Sequence, residues 1–199
     1  MYLQEALTLT RGPLFPLRQV SGETARLLGI EVGRELATLV MLGAVGWLAG
    51  SRRWERLAWA AVAFGAWDLA YYGWLWVFSG WPPTLTTWDV LFLVPVPWVA
   101  PVWAPMTVSL ALIGVGLLAA RRLHDGSPLH LARWHLAGGV AGGLLVVASF
   151  LLDAPSVLAG GVPRDYPWLL FLPGMFLAIW ASIAALGGAP DGEVARTAS

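Results

Sequence analysis

The chain contains no cysteine, no lysine and no asparagine, and all of its basic residues are arginine. Without cysteine there are no disulfides, no thiolate metal sites and no c-type haem attachment. Without lysine there is no Schiff-base retinal, no pyridoxal phosphate linkage and no phosphate-binding Walker lysine. Charge of either sign is scarce. Only 12% of the 199 residues are charged and the net charge is zero, against about 25% charged in an ordinary soluble domain. That balance leaves no basic footprint for nucleic acid.

What is abundant is apolar: 58% of the residues are hydrophobic and thirteen are tryptophan. Runs near 20 residues long suffice to cross a bilayer. They read as spans at Ala25–Ala49, Leu57–Ser79, Val99–Ala120, Trp134–Leu152 and Trp168–Leu186. The fold class expected is therefore all-α, a polytopic transmembrane bundle of about five spans covering residues 25–186. An extracytoplasmic segment, 1–24, precedes it and a disordered cytoplasmic tail, 187–199, follows. Residues 1–22 show no basic start followed by an apolar core, so no secretory signal peptide is expected.

Arg52, Arg53, Arg56, Arg121, Arg122 and Arg133 fall in the loops after the first and third spans. The positive-inside rule places those loops in the cytoplasm. The reading is a bacterial-type inner-membrane protein with its N-terminus outside and its C-terminus in the cytoplasm.

One stretch resists a simple span. Val90–Ala120 would measure about 46 Å as one helix, at 1.5 Å per residue, and it carries Pro95, Pro97, Pro101 and Pro105. Each proline removes a backbone donor and crowds the preceding turn. Val90–Trp98 is therefore expected to be a re-entrant or interfacial segment, not a crossing helix. A sixth, squeezed span over 90–99 is the alternative.

Ionisable groups inside the spans mark the candidate site, because a charge at that depth is costly and faces a partner or a cavity. Glu31, Arg34, Glu35 and Thr38 share one face of the first span, and Asp68, Tyr71 and Tyr72 share one face of the second. With Trp88 and Asp89 from the following loop, these groups converge on the periplasmic side and are expected to form one ligand- or proton-binding site. Arg34 is expected to contact Glu35 or Asp68 across the bundle. The plainer account is that Arg34 neutralises Glu31 or Glu35 within its own helix. The crowding of Trp74, Trp76, Trp81, Trp88, Trp98 and Trp103 near the outer loop fits an aromatic belt, with Trp81 and Trp88 placed to line a pocket instead. Gly29–Gly33 and the run 138–143 are small-residue patterns that let helices approach closely.

His124, Asp125, His130 and His135 match no metal-ligand spacing, so no metal is expected, and the residues name no cofactor. Serine-hydrolase motifs are absent, although paired carboxylates can activate water. Three functions are compatible: small-molecule binding or proton relay, a structural or assembly subunit of a larger membrane complex, and a membrane-embedded lipid-modifying or hydrolytic enzyme. The partners implied are the lipid bilayer, a small-molecule ligand, and a second copy or other membrane subunits.

The stretch PVPWVAPVWAPMTVSLALIGVG, residues 95–116, resembles the Pro/Trp-rich loop and following helix of the tryptophan-rich sensory protein family. The resemblance implies a five-span bundle whose cavity takes porphyrins or sterol-like ligands. It covers 22 of 199 residues. In that family the segment lies between the first and second spans, and the family's Gln and Asn positions have no counterparts here.

Overall fold

The computed structural model describes residues 22–127, 129–163 and 165–187. The terminal segments expected at 1–24 and 187–199 lie outside the described residues except at their inner ends. Five long helices dominate: α1 (Gly22–Ala49), α2 (Arg53–Ser79), α3 (Trp103–His124), α4 (Arg133–Leu151) and α6 (Trp168–Gly187). A single-turn α5 (Ala154–Leu158) follows α4, and two strands, β1 (Trp88–Phe92) and β2 (Trp98–Pro101), separate α2 from α3.

Four segments are long and apolar enough to cross a membrane: Gly29–Ala49, Trp103–His124, Arg133–Leu158 and Trp168–Gly187. The 27-residue α2 is not among them, since its tryptophans, tyrosines and Asp68 dilute its hydropathy. It nevertheless lies alongside the others. The short turn at 50–52 folds α2 back on α1, and a Cβ added at Gly46 would come within 2.6 Å of Arg56 O. Against α3, a Cβ on Gly65 would meet Ser109 O at 2.5 Å, and one on Gly116 would meet Ala58 O at 2.8 Å. Rising numbers on one helix face falling numbers on the other, so α2 and α3 are antiparallel.

The same device joins α4 to α6. A Cβ at Gly142 would lie 2.5 Å from Ala178 N, and one at Gly174 would lie 2.9 Å from Gly142 O. Glycine here removes the atom that would hold the backbones apart. Of the small-residue patterns read in the sequence, Gly138 and Gly142 therefore pack. Gly29 and Gly33 instead face open space.

Val90–Trp98 is not a crossing helix. It is most of an antiparallel hairpin pairing Trp88 with Pro101, Asp89 with Ala100, Val90 with Val99 and Phe92 with Trp98, with an irregularity between Val90 and Phe92. The sequence suggested a re-entrant or interfacial segment, and the two strands are the difference. Prolines that exclude a helix are tolerated at turn and strand-end positions, and the intervening Val, Leu, Phe and Trp residues favour extended backbone. The expected third span, Val99–Ala120, shifts accordingly. Residues 99–101 complete β2, and α3 starts at Trp103 with Pro105 in its first turn, where no intrahelical donor is lost. Arg121 and Arg122, expected in a loop, extend α3 to His124.

At the hairpin end, Trp103 stacks on Trp168 with ring centroids 4.1 Å apart. These rings pack on a core of Ala100, Ala104, Val146, Phe150, Tyr166, Phe171 and Met175. The opposite end gathers the start of α2, the end of α3, the start of α4 and the end of α6, where His130 N–H donates to Ala185 O. Arg52, Arg53, Arg56, Arg121, Arg122 and Arg133 all belong to that end. The outer surface between is apolar, with Leu48, Phe78 and Leu169 at least 80% exposed.

Candidate ligand cavity and its carboxylates

Each acid buried in the helices or the hairpin meets a specific donor. Glu35 on α1 accepts the backbone N–H of Leu93 through both carboxylate oxygens at 3.1 Å. Leu93 lies just past β1, where the ladder ends. An unpaired N–H there would have no water to bond in an apolar surround, so Glu35 completes the hairpin from another helix. Asp89 on β1, 1% exposed, accepts Tyr72 OH at 2.9 Å and the backbone N–H of Val90 at 2.8 Å. Asp68 in the middle of α2 accepts Ser109 OH from α3 at 2.8 Å.

Arg34 forms its ion pair with Glu31, one turn back on α1, and its Nε donates to Glu31 Oε1 at 2.9 Å. This corrects the expected cross-bundle contact of Arg34 with Glu35 or Asp68. Those two acids are met by Leu93 N–H and Ser109 OH instead. A guanidinium and a carboxylate at i and i+3 on one helix reach each other without any tertiary rearrangement, so the local pair forms.

The tyrosines divide as well. Tyr72 is buried, reaches Asp89 and stacks on Trp81 at 6.2 Å. Tyr71 packs between Trp67 and Tyr72. Trp88 turns into the core and meets the edge of Tyr166 at 6.0 Å. Trp74 and Trp76 stay more than 60% exposed, as belt residues would.

A cavity of about 280 Å³ lies between the α2–α3 pair and the α4–α6 pair, bordered at one end by the hairpin. Phe64, Leu91, Phe92, Trp98, Val108, Phe150, Met175 and Ile179 are among the apolar residues of its wall, and Asp68, Ser109 and Ser182 are its polar residues. Of the eight residues expected at one site, Asp68 lines this cavity. Glu31, Arg34, Glu35, Tyr71, Tyr72, Trp88 and Asp89 are not part of its lining.

Ser109 and Ser182 are wall groups that sequence reasoning did not single out, and Trp98, read there as a belt residue, also lines the chamber. Ser109 carried a usable signal, as one of few hydroxyls within the α3 run. What pairs it with Asp68 is the glycine-mediated approach of α2, which no local pattern announces. Tyr166 and Ser149, hydrogen-bonded at 2.9 Å beneath the aromatic cluster, were equally silent. Burial pushes the Tyr166 hydroxyl above its ordinary range. Among the described residues, no group of three His, Asp or Glu side chains is placed to hold a metal ion.

The fold and cavity together define a helical membrane bundle with a chamber between two helix pairs, bordered at one end by the hairpin. No family model, no curated protein and no solved structure matches the chain.

Proposed function

We propose that this is a multi-pass protein of the bacterial inner membrane that binds a small, largely apolar molecule in the chamber between α2, α3, α4 and α6. The observation that carries the reading is the chamber itself: an apolar volume inside a bundle, with one carboxylate on its wall. Ligand sites are commonly such clefts, mostly hydrophobic with a few placed polar groups. Glu35, Tyr72 and Asp89 support the site indirectly, by tying α1 and α2 to the hairpin that borders it, whereas the Glu31–Arg34 pair stays within α1.

Gly143 borders the chamber, and a Cβ there would meet nothing within 4 Å. Gly143→Leu therefore fills the volume without displacing backbone. In lipid nanodiscs, the wild type should bind a compact neutral aromatic such as tert-butylbenzene saturably, and Gly143→Leu should abolish that binding while remaining folded. Saturable binding unchanged by the filled chamber would overturn the reading.

A second reading, a structural subunit of a larger membrane complex, draws on the carboxylates. Glu35, Asp89 and Asp68 each tie two elements together, which is what a scaffold requires. Purification in mild detergent separates the two. Subunits that persist in stoichiometric amount support the complex, and a lone chain or homodimer supports a self-contained binder.

A further inference from the structure

The polar hydrogens in the chamber wall are all in use. Ser109 donates its hydroxyl hydrogen to Asp68 Oδ2 at 2.8 Å, and Ser182 donates its own to Ala178 O at 2.7 Å. Trp98 Nε1 donates to Val94 O at 2.9 Å. What the wall still offers is acceptors: the hydroxyl lone pairs and the remaining capacity of the Asp68 carboxylate. Asp68 is 9% exposed. Ser109 is its hydrogen-bond partner, and among the described residues no arginine or histidine forms an ion pair with it. Arg34 is committed to Glu31 on α1, and Arg52, Arg53, Arg56, Arg121, Arg122 and Arg133 lie at the far end of the bundle.

From this we infer that the chamber selects a lipophilic organic cation, an aryl or alkyl ammonium whose charge sits against Asp68 and whose body fills the apolar space. The inference rests on the binding reading above and names the ligand class. A carboxyl buried with no countercharge among the described residues either holds a proton or takes a cation, and a cation of matching shape draws it into the charged form. An anion would be repelled by Asp68, and a polyol would find too few polar groups and no free donor. Phe64, Phe92, Trp98 and Phe150 line the same space, and aromatic faces attract organic cations through the ring quadrupole.

The test compares two probes of nearly equal shape, phenyltrimethylammonium and its neutral isostere tert-butylbenzene. Both are titrated against the full-length protein in phosphatidylcholine nanodiscs by calorimetry. The cation should bind at least about tenfold tighter, the scale of one unshared charge contact. Asp68→Asn keeps an acceptor for Ser109 but loses the charge, and should bring the two affinities together. Asp68→Leu combined with Ser109→Ala removes the charge together with its hydrogen-bond partner and should likewise bring the two affinities together, so the charge is tested even if the Asn variant does not fold. Equal affinities in the wild type, or a preference that survives Asp68→Asn, would overturn the cation assignment while leaving a neutral apolar site standing. If neither probe binds, both the assignment and the binding function fall.

Discussion

At the scale of single residues, a buried acid in this protein is held by hydroxyls and backbone N–H groups more than by opposite charge. Tyr72→Phe removes the hydroxyl that reaches Asp89 and leaves that carboxylate with less than its full set of donors. The cost should be about 1–3 kcal/mol, the usual penalty for a buried polar group left short of a partner. Thermal unfolding in detergent, compared with wild type, reads it directly. Ser109→Ala should cost a similar amount through Asp68. Adding Asp68→Leu to it should recover part of the loss, because replacing both partners by apolar groups removes the desolvation penalty along with the bond. A double variant less stable than either single one would contradict this. Glu55, at the start of α2 and outside the apolar run, behaves differently. The Ser51 N–H, at 2.8 Å, and then the Arg52 N–H hold its carboxyl below the ordinary 4.5. A lowered folded-state value means that its contribution to the α1–α2 turn is present above pH about 4.5 and disappears as pH falls through the folded value. Hydrogen exchange at Ser51 and Arg52 should accelerate on acidification in the wild type beyond the intrinsic change, and not in Glu55→Gln.

Between elements, glycine decides which helices touch. Gly65 and Gly116 bring α2 onto α3, and Gly142 and Gly174 bring α4 onto α6, leaving the chamber between the two pairs. Gly142→Val forces a side chain onto the Ala178 backbone and should cost about 1–3 kcal/mol or more, since neither backbone can yield cheaply. Gly139→Ala, three residues earlier where a Cβ meets nothing within 4 Å, should be neutral or slightly stabilising through its helix propensity. Equal effects at the two positions would show that the close approach does not hold the pair together. The hairpin depends on a different kind of contact. Its free edge at Leu93 is completed by Glu35 from α1, so α1 does more than pad the bundle.

For the whole molecule, the gathering of six arginines at one end and of the hairpin and aromatic cluster at the other gives the bundle a polarity. By the positive-inside rule the arginine end is expected in the cytoplasm. Topology reporters inserted at Gly126 should read cytoplasmic, and reporters at Gly160 or within the 83–86 loop should read periplasmic. Opposite readings at 83–86 and Gly160 would mean that α2, the least apolar of the five long helices, fails to cross. The outside of the bundle, apolar over most of its height, is what a bilayer demands of helices that satisfy their own backbone groups.

The amino-acid sequence by itself determined the class of fold and the rough limits of the helices. Apolar runs of bilayer length have few other stable forms, and Pro95, Pro97 and Pro101 keep the helix from extending ahead of Trp103. The Arg34–Glu31 pair follows the plainer of the two accounts open to the sequence, pairing within one helix, because two residues one turn apart meet without help from the rest of the chain. The sequence did not determine that the polar residues would divide, with Glu35 completing a strand edge, Tyr72 reaching Asp89 and only Asp68 facing the chamber. Those partners are 17 to 58 residues apart, and each meeting depends on how closely neighbouring backbones approach. Helical periodicity assigns a residue to a face. Which element that face meets, and at what depth, is set by the glycine contacts and the hairpin, and these exist only once the bundle has packed.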